Sequence, residues 1–267
     1  MKKVLIFCLV VSSTVWAMSA QAAYLITRWS DLYQYDINQG ATYIGRTSWG
    51  MKDIAMASNR LYGVAFSAFY SIDVNTGHSS LIRRDFGFAM INALVGSPTG
   101  DTLYALSKGG RFARLSDTGQ YSLIGSLGSY EGRALFSRGD MAFGADGTLY
   151  ATVNNGRGDY LATIDVDTGQ ATVLGDIGYS AVYGLVFLDG TLYGTTADHD
   201  LIEIDQTTGQ GTHVTGIVGI ESGPITGAAG DPSDTIASGA TPEPATLLLL
   251  SSAMGMILWR RRRRAVG

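Results

Sequence analysis

Cysteine is nearly absent from this sequence, since Cys8 is the only one in 267 residues. Disulfide bonds therefore cannot stabilise the fold, and the chain must bury a sizeable apolar core instead. The sequence also lacks a Cys/His metal set, a Ser/His/Asp arrangement and a glycine-rich phosphate loop. Its three histidines, His78, His199 and His213, do not occur at ligand spacing. We therefore expect no cofactor.

Basic residues are scarce outside the two ends of the chain. The terminal segments described below contain seven of the 19 basic residues but only one of the 23 acidic residues, so the body between them has a charge of about −10. An acidic surface keeps an exported protein soluble. It also argues against nucleic acid and anionic membranes as partners of the body.

The C-terminal segment has three parts in a fixed order. It begins with Pro242, Glu243 and Pro244 and continues through an uncharged apolar run at residues 245–259. It then carries five consecutive arginines, Arg260, Arg261, Arg262, Arg263 and Arg264. This order resembles the PEP-CTERM sorting signal of Gram-negative envelope proteins. The resemblance implies that exosortase, a transpeptidase-like membrane enzyme, cuts near Pro-Glu-Pro and discards the helix.

The physical chemistry of this tail is consistent with a temporary membrane span. A helix over residues 245–259 rises about 1.5 Å per residue and is shorter than the hydrocarbon core of roughly 30 Å. The arginines after it would stay in the cytoplasm under the positive-inside rule. A permanent C-terminal tail anchor is the alternative.

The N-terminal segment is typical of a secretory signal peptide. Lys2 and Lys3 precede an apolar stretch that begins at residues 4–11, and a small-x-small site at residues 20–22 follows. Cleavage is predicted between Ala22 and Ala23, which would remove residues 1–22 and the only cysteine with them. Signal peptidase is therefore an expected partner during export.

A pattern containing Leu-Tyr recurs four times in the body. Its leucines are separated by 42, 46 and 43 residues: Leu61, Leu103, Leu149 and Leu192. Each copy is followed by a segment that alternates apolar and polar residues and ends in Thr-Gly, which predicts a half-buried strand and a hairpin turn. Three aspartates in such segments should accept hydrogen bonds from the turn backbone: Asp73, Asp165 and Asp205. Asp36, in a matching segment near the N-terminus of the body, should do the same.

A small apolar segment precedes each Leu-Tyr, and we expect it to form the innermost strand around an axis. These segments begin at Asp53, Asn92, Asp140 and Tyr183. With a further short strand after each turn, one unit has four antiparallel strands over roughly 40–45 residues. That length and strand count are typical of a propeller blade.

The ends of the body supply a fifth blade. Residues 24–45 match the second, third and outer strands of the unit but lack an inner strand, and residues 224–229 match a lone inner strand. Joining them would close the ring without an open sheet edge at the seam. The sequence therefore predicts an all-β fold, a five-bladed β-propeller over residues 23–231 with N/C-terminal strand closure.

The propeller is expected between an N-terminal signal helix and a C-terminal hydrophobic helix. A flexible linker is predicted at residues 232–241 and the sorting signal at residues 242–264. The repeat resembles the degenerate quinoprotein-like and kelch-like arrays of bacterial exported proteins. A β-helix or a sandwich with a coincidental repeat is the structural alternative.

Two acidic segments are candidate cation sites. Asp198, His199 and Asp200 place two carboxylates and an imidazole close together, although a polar turn is the favoured interpretation. Asp165 and Asp167 resemble the start of a calcium loop, but the downstream bidentate Glu of such a loop is missing. A turn is therefore favoured there too.

Two further patterns have both a functional and a structural interpretation. Arg-Gly-Asp occurs at residues 138–140 and 157–159, and chance is favoured over host adhesion because the first copy enters a predicted inner strand. Four aromatic residues predicted in loops could stack on sugars, although packing between blades is favoured: Trp29, Trp49, Tyr130 and Tyr179.

These observations favour an exported cell-surface or extracellular-matrix protein whose propeller is a binding or structural module for exopolysaccharide or a protein. The C-terminal helix would hold it in the inner membrane until exosortase acts. The alternative is an envelope glycan hydrolase or lyase, which needs carboxylates converging at the propeller mouth within about 5–10 Å. A calcium-stabilised adhesin is a third, weaker hypothesis.

Overall fold

The computed structural model describes residues 22–85, 87–88 and 90–230, and all regular secondary structure in these segments is β-strand. The predicted linker, both predicted terminal helices and the sorting signal lie outside the described residues, as does the signal peptide apart from Ala22. None of the described segments contains a helix long and apolar enough to cross a membrane.

Four-stranded antiparallel sheets form five blades, each running from an inner to an outer strand. The first blade contains β1 (Ala22–Thr27), β2 (Asp31–Asp36) and β3 (Gly40–Arg46). The second contains β4 (Asp53–Ala57), β5 (Arg60–Ala65), β6 (Ala68–Ile72) and β7 (Ser79–Arg84). The third contains β8 (Ile91–Gly96), β9 (Leu103–Ser107), β10 (Arg111–Leu115) and β11 (Tyr121–Ser126).

A two-stranded hairpin, which the repeat did not predict, follows the third blade. It pairs β12 (Ser129–Tyr130) with β13 (Arg133–Ala134). The fourth blade contains β14 (Phe136–Phe143), β15 (Leu149–Asn154), β16 (Asp159–Ile164) and β17 (Ala171–Asp176). The fifth contains β18 (Val182–Leu188), β19 (Thr191–Thr196), β20 (Asp200–Ile204) and β21 (Gly211–Gly216).

The last strand, β22 (Ile225–Ala229), closes the ring as the inner strand of the first blade. It pairs antiparallel with β1, with Tyr24 opposite Ala229 and Leu25 opposite Ala228. The sheet order β22-β1-β2-β3 confirms the five-bladed propeller and the predicted closure by the two ends of the body. Closure pairs the edge of β1 that would otherwise be open and gives the first blade its inner strand.

Apolar clusters lie between blades rather than within them. Each of the five buried clusters combines residues of two neighbouring blades. Leu61 and Tyr62 point to opposite faces of β5, so Leu61 packs toward the first blade and Tyr62 toward the third. Leu149 and Tyr150 divide in the same way between the third and fifth blades. The repeated Leu-Tyr pair therefore fills two inter-blade boundaries at once.

The Asp-x-x-Thr-Gly turns have the geometry that the sequence predicts. Asp165 Oδ1 accepts the backbone N–H groups of Asp167 at 2.9 Å and Thr168 at 3.0 Å. Gly169 has a φ of 74°, a conformation that glycine adopts without steric cost. The same pair of hydrogen bonds recurs at three other aspartates, Asp36, Asp73 and Asp205.

Three of these turns press against a glycine in the outer strand of the preceding blade. A Cβ atom on Gly175 of β17 would collide with the carbonyl oxygen of Thr208 in the next blade. Gly45 and Gly125 meet the turns of their neighbouring blades in the same way. The outer-strand glycine and the Thr-Gly turn are therefore partners across one blade boundary.

We expect Gly175→Ala to lower the free energy of unfolding by about 2 kcal/mol, because the new methyl group forces two blades apart. Gly216→Ala is the matched control, since Gly216 also lies in an outer strand but has open space around its Cβ position. Its effect should stay within about 0.5 kcal/mol, and urea unfolding measures both. Equal losses in the two variants would contradict the proposed contact.

Candidate functional site

Five backbone N–H groups lie at equivalent positions around the channel axis, one on each inner strand. The sheet registers align the residues that carry them: Ile54, Leu94, Met141, Leu185 and Ala228. The inner strands are terminal in their sheets, so no strand of the same sheet lies on their axial side. A buried N–H without an acceptor costs about 1–3 kcal/mol, so the axis needs acceptors.

Asp53 accepts two of these N–H groups. Its Oδ1 lies 2.8 Å from the backbone nitrogen of Ile54 on its own strand, and its Oδ2 lies 2.7 Å from that of Leu94 in the next blade. The side chain thereby joins the second and third blades at the centre of the ring.

Asp140 accepts the other three. Its Oδ1 lies 2.6 Å from the backbone nitrogen of Met141, and its Oδ2 lies 2.7 Å from that of Leu185 and 3.1 Å from that of Ala228. These donors belong to the fourth, fifth and first blades. Two carboxyl groups therefore satisfy one N–H from every blade of the propeller.

The two carboxyl groups are fully buried, and each affects the pKa of the other. Burial raises the pKa of Asp53 well above its usual value, and repulsion from Asp140 raises it further. Burial also raises the pKa of Asp140, against the opposing effect of its backbone donors. Two buried carboxylates that interact in this way repel one another strongly when both are ionised, so we expect the pair to share one proton.

Small residues occupy the rest of this layer, at the positions that the sheet registers align with the two aspartates: Ala93, Gly184 and Gly227. A Cβ atom on Gly227 would collide with Oδ1 of Asp53. The small side chains therefore leave the centre of the ring to the two carboxyl groups. We call these five positions the carboxylate layer.

A cavity of about 620 Å³ opens on one side of the carboxylate layer, and we call it the mouth cavity. The residues immediately before the layer line it: Lys52, Asn92, Gly139, Tyr183 and Thr226. On the other side, a narrow cavity of about 50 Å³ is lined by the mostly apolar residues that follow the layer. The carboxylate layer therefore separates the wide mouth cavity, which polar and cationic residues partly line, from a narrow cavity lined mostly by apolar residues.

Four cationic side chains line the mouth cavity, Arg28, Lys52, Lys108 and Arg138, and no Asp or Glu of the described residues does. Arg138 is neutralised, because its Nε donates to Oδ2 of Asp159 at 2.8 Å. The other three form no ion pair with any residue in the described part of the chain. The mouth cavity is thus positively charged within an acidic body.

The electrostatics of Lys52 reflect this concentration of charge. Partial burial lowers the pKa of its ammonium group, and the positive charges of Arg28 and Lys108 lower it further. Charging Lys52 therefore costs free energy in the empty cavity, and an anion placed there would recover it.

Two aromatic side chains line the same cavity, Phe66 and Tyr183. The ring of Phe66 is 60% exposed, and the Lys52 ammonium lies 4.9 Å from its centroid. Trp29 follows Arg28 in the β1–β2 turn and is 59% exposed. The Arg138 guanidinium lies 5.1 Å from the ring centroid of Tyr183, which lines the cavity. Exposed rings beside cations are suited to ligands that have both apolar faces and charge.

Two buried polar atoms at the cavity wall have no hydrogen-bond partner, Oδ1 of Asn92 and Oγ of Ser137. Both residues line the mouth cavity. The Asn92 Nδ2 donates to the carbonyl oxygen of Ser137 at 3.3 Å, which orients the Asn92 carbonyl oxygen away from that contact. Buried polar atoms normally have partners, so these two are exceptions within the cavity wall.

The candidate metal segment forms a turn that holds loops together. His199 has a φ of 67°, and its Nε2 lies 2.8 Å from the carbonyl oxygen of Gly223. Asp200 begins β20, and its Oδ1 lies 3.4 Å from Nε2 of His213 rather than joining Asp198 and His199 in a cluster. Across residues 22–85, 87–88 and 90–230, no three His, Cys, Asp or Glu side chains are placed to hold a metal ion.

The aromatic residues and the first Arg-Gly-Asp copy singled out from the sequence differ in how exposed they are. Trp29 and Trp49 are 59% and 52% exposed, whereas Tyr130 packs edge-on against Tyr160, with centroids 5.4 Å apart. Tyr179 packs against the cluster between the fourth and fifth blades. The first Arg-Gly-Asp copy lies in β14 with its aspartate fully buried, so it is not accessible to a receptor.

The carboxylates that a glycan hydrolase would need are not found at either mouth. Asp53 and Asp140 do converge at the axis, but both are fully buried and accept backbone N–H groups. No Asp or Glu of the described chain lines the cavity on either side of the carboxylate layer. The structure gives the hydrolase hypothesis no support.

Sequence reasoning missed both the carboxylate layer and the mouth cavity. Two of the four predicted inner strands begin with an aspartate, Asp53 and Asp140. A charged residue in an otherwise apolar strand is the signal that could have revealed the carboxylate layer. The body also has only two lysines, Lys52 and Lys108, and both line the cavity. Their spacing along the chain does not show that they converge.

Comparison with known proteins now places the chain in a family. The profile of a family described as a repeat of unknown function (DUF6923) matches residues 87–230, more than half of the sequence. The chain belongs to the DUF6923 repeat family. The matched region covers the third to fifth blades and β22, so the family repeat is made of propeller blades. No curated protein matches the chain.

The C-terminus of this DUF6923 protein also matches the PEP-CTERM protein-sorting motif, at residues 240–263. This confirms the resemblance carried by Pro242, Glu243, Pro244 and the arginines. The motif implies an exported, exosortase-processed protein of the cell surface.

Solved structures show likeness of fold alone. A protein of unknown function from Bacteroides thetaiotaomicron shares 17% identity over 80% of this chain with a TM-score of 0.51, and this chain spans 62% of its length. The extracellular domain of a putative one-component system from the same organism shares 16% identity over 78% of this chain and 28% of its own, with a TM-score of 0.45. The WD40 β-propeller domain of Doa1 shares 12% identity over 78% of this chain and 82% of its own, with a TM-score of 0.45.

The shared proton should make stability depend on pH. The pKa of Asp53 is raised in the folded state. Its contribution to the free energy of unfolding is therefore fully present below about pH 4 and is lost as the pH rises through the folded pKa. Asp53→Asn needs no shared proton, but its amide group cannot accept the N–H of Leu94. We expect the variant to be less stable by about 1–3 kcal/mol at pH 5, with a smaller difference at pH 8.

Urea unfolding at pH 5 and pH 8, followed by tryptophan fluorescence, measures this difference directly. Comparing the two proteins at each pH cancels the exposed turn aspartates, such as Asp73, whose pKa values are lowered and which act in the opposite direction. A difference that stays constant between pH 5 and pH 8 would contradict a shared proton.

Proposed function

We propose that this protein is a surface-displayed binding module whose propeller holds an extracellular polysaccharide in the mouth cavity. The observation that carries the proposal is an open cavity of about 620 Å³ at the propeller axis, lined by the strongly exposed ring of Phe66 and by Tyr183. A cavity of this size accommodates a few sugar residues. Sugar rings have an apolar C–H face that packs on an aromatic ring, and hydroxyl groups that meet polar walls.

The route to the surface begins with signal peptidase, which we propose cuts between Ala22 and Ala23. The apolar residues 245–259 then hold the folded propeller at the inner membrane while exosortase acts near Pro242, Glu243 and Pro244. The linker at residues 232–241 separates the blades from the cleavage site. Secretion through a Gram-negative envelope is part of this proposal.

A polysaccharide is favoured over a protein partner because the site is concave. The rings of Phe66 and Tyr183 and the cationic side chains line this concave opening. A protein partner would instead favour a broad apolar patch. The carboxylate layer gives the cavity a rigid floor, so the site is formed before the ligand arrives.

Phe66→Ala and Tyr183→Ala should each weaken binding of exopolysaccharide extracted from the exporting cells, roughly fivefold, because each removes one stacking surface of the cavity. Tyr43→Ala is the matched control, since Tyr43 is 55% exposed but lies on outer strand β3. Affinity electrophoresis measures all three variants against the unmodified protein. Failure of the unmodified protein to bind this polysaccharide, or equal losses in all three variants, would contradict the proposal.

Intact mass of the protein recovered from its native envelope tests the route. We expect a chain that begins at Ala23, has lost residues 245–267 and is released from the inner membrane. Replacing both Pro242 and Pro244 by alanine should leave the full tail in the membrane pellet. If the unmodified protein keeps residues 245–267 in that pellet, it is a permanently anchored protein rather than a sorted one.

A further inference from the structure

The charge of the mouth cavity is opposite to the charge of the protein that contains it. The body carries about ten more acidic than basic residues. Four of its basic side chains nevertheless line one cavity that no described acidic residue lines. A general need for solubility does not explain this distribution, because an acidic surface already provides it. The sequestered positive charge is therefore a feature of the site.

Three of the four cations are available to a ligand. Asp159 neutralises Arg138, but Arg28, Lys52 and Lys108 have no ion pair within the described residues. Arg28 and Lys108 are exposed, whereas Lys52 is partly buried beside them. Like charges placed close together destabilise one another, and no ion pair within the described residues relieves this repulsion.

The backbone fixes the positions of these cations on different blades. The backbone N–H of Arg28 donates to the carbonyl oxygen of Pro224 at 2.8 Å, and the backbone N–H of Lys52 donates to that of Val64 at 2.7 Å. The backbone N–H of Lys108 donates to the carbonyl oxygen of Met90 at 2.8 Å. The side chains thus start from anchored points on the first three blades, and all of them reach one cavity.

Aromatic rings beside these cations favour a sugar over a bare inorganic anion. The ring of Phe66 is 60% exposed, and the Lys52 ammonium lies 4.9 Å from its centroid. Tyr183 also lines the cavity, with the Arg138 guanidinium 5.1 Å from its ring centroid. A sugar that bears an acidic group offers an anion to the cations and an apolar C–H face to these rings.

Resting on the proposed function, we propose that the bound polysaccharide is acidic and that its anionic group lies in the mouth cavity among Arg28, Lys52 and Lys108. The ring of the same sugar residue packs against the exposed ring of Phe66. The acidic outer surface repels the rest of a polyanion, so one residue or a chain end enters the cavity rather than a long stretch lying across the protein. The anionic group is a carboxylate, a sulfate or a phosphate ester.

The first experiment compares exopolysaccharide extracted from the exporting cells with the same material after chemical reduction of its carboxyl groups. Desulfated and dephosphorylated samples form two further arms. We expect one of these treatments to weaken binding at least tenfold. The treatment that does so identifies the anionic group as a carboxylate, a sulfate or a phosphate ester. Untreated binding should also weaken as the salt concentration rises.

The second experiment measures which cations carry the effect. Lys108→Gln and Arg28→Gln should each weaken binding of the untreated polysaccharide about fivefold or more, while Arg60→Gln should not. Arg60 is an exposed cation at the start of β5 and does not line the mouth cavity, so it controls for the loss of one charge. Lys52→Gln should weaken binding without lowering the melting temperature, because the other two cations repel Lys52.

The outcomes separate this inference from the proposed function. If every neutralised sample binds as tightly as the untreated one, the ligand is not recognised by charge and this inference fails, while the proposed function stands. If no sample binds, both fail. If inorganic phosphate or sulfate competes as well as a polysaccharide fragment, or if DNA binds equally tightly, the site recognises anions without regard to sugar and the inference is overturned.

Discussion

One backbone N–H from each of five blades points into the centre of the ring, and the propeller depends on finding acceptors for them. Asp53 and Asp140 supply these acceptors through four carboxyl oxygens. Each blade packs its apolar residues against its neighbours, so the ring is held at its boundaries and at its centre. Removing either side chain would leave buried donors without partners in several blades at once. Two side chains thus influence the whole domain.

The same layer determines what the molecule can bind and where. Because both carboxyl groups are engaged and buried, the channel is closed and the acidic groups are unavailable for catalysis. The residues one step before the layer then form the floor of a wide basic cavity, with Lys52 directly before Asp53 and Gly139 directly before Asp140. A structural solution to five unpaired N–H groups thereby produces a rigid, preformed site. The fold itself does not imply a function, so the argument for binding depends on this cavity.

The sequence predicted the ring more completely than the site. The repeated Leu-Tyr pair marks strands whose two faces are both buried, as Leu61 and Tyr62 illustrate, and period-two alternation marks the half-buried strands that follow them. The unmatched ends of the body specified the closure between β1 and β22. Cavity residues cannot be identified in this way. Lys52, Lys108 and Arg138 lie on different blades and come together only because the folded blades are arranged around one axis. The β12–β13 hairpin also escaped prediction, since it is an insertion that breaks the repeat.

Infrared spectroscopy of the carboxyl groups at neutral pH tests the shared proton most directly. A protonated carboxylic acid absorbs at a frequency distinct from that of a carboxylate, and an exposed aspartate is fully ionised at this pH. We predict a protonated-acid band in the unmodified protein that is absent from Asp53→Asn. A spectrum without that band would show that both aspartates are ionised, and the closed ring would then need another source of stability at its centre.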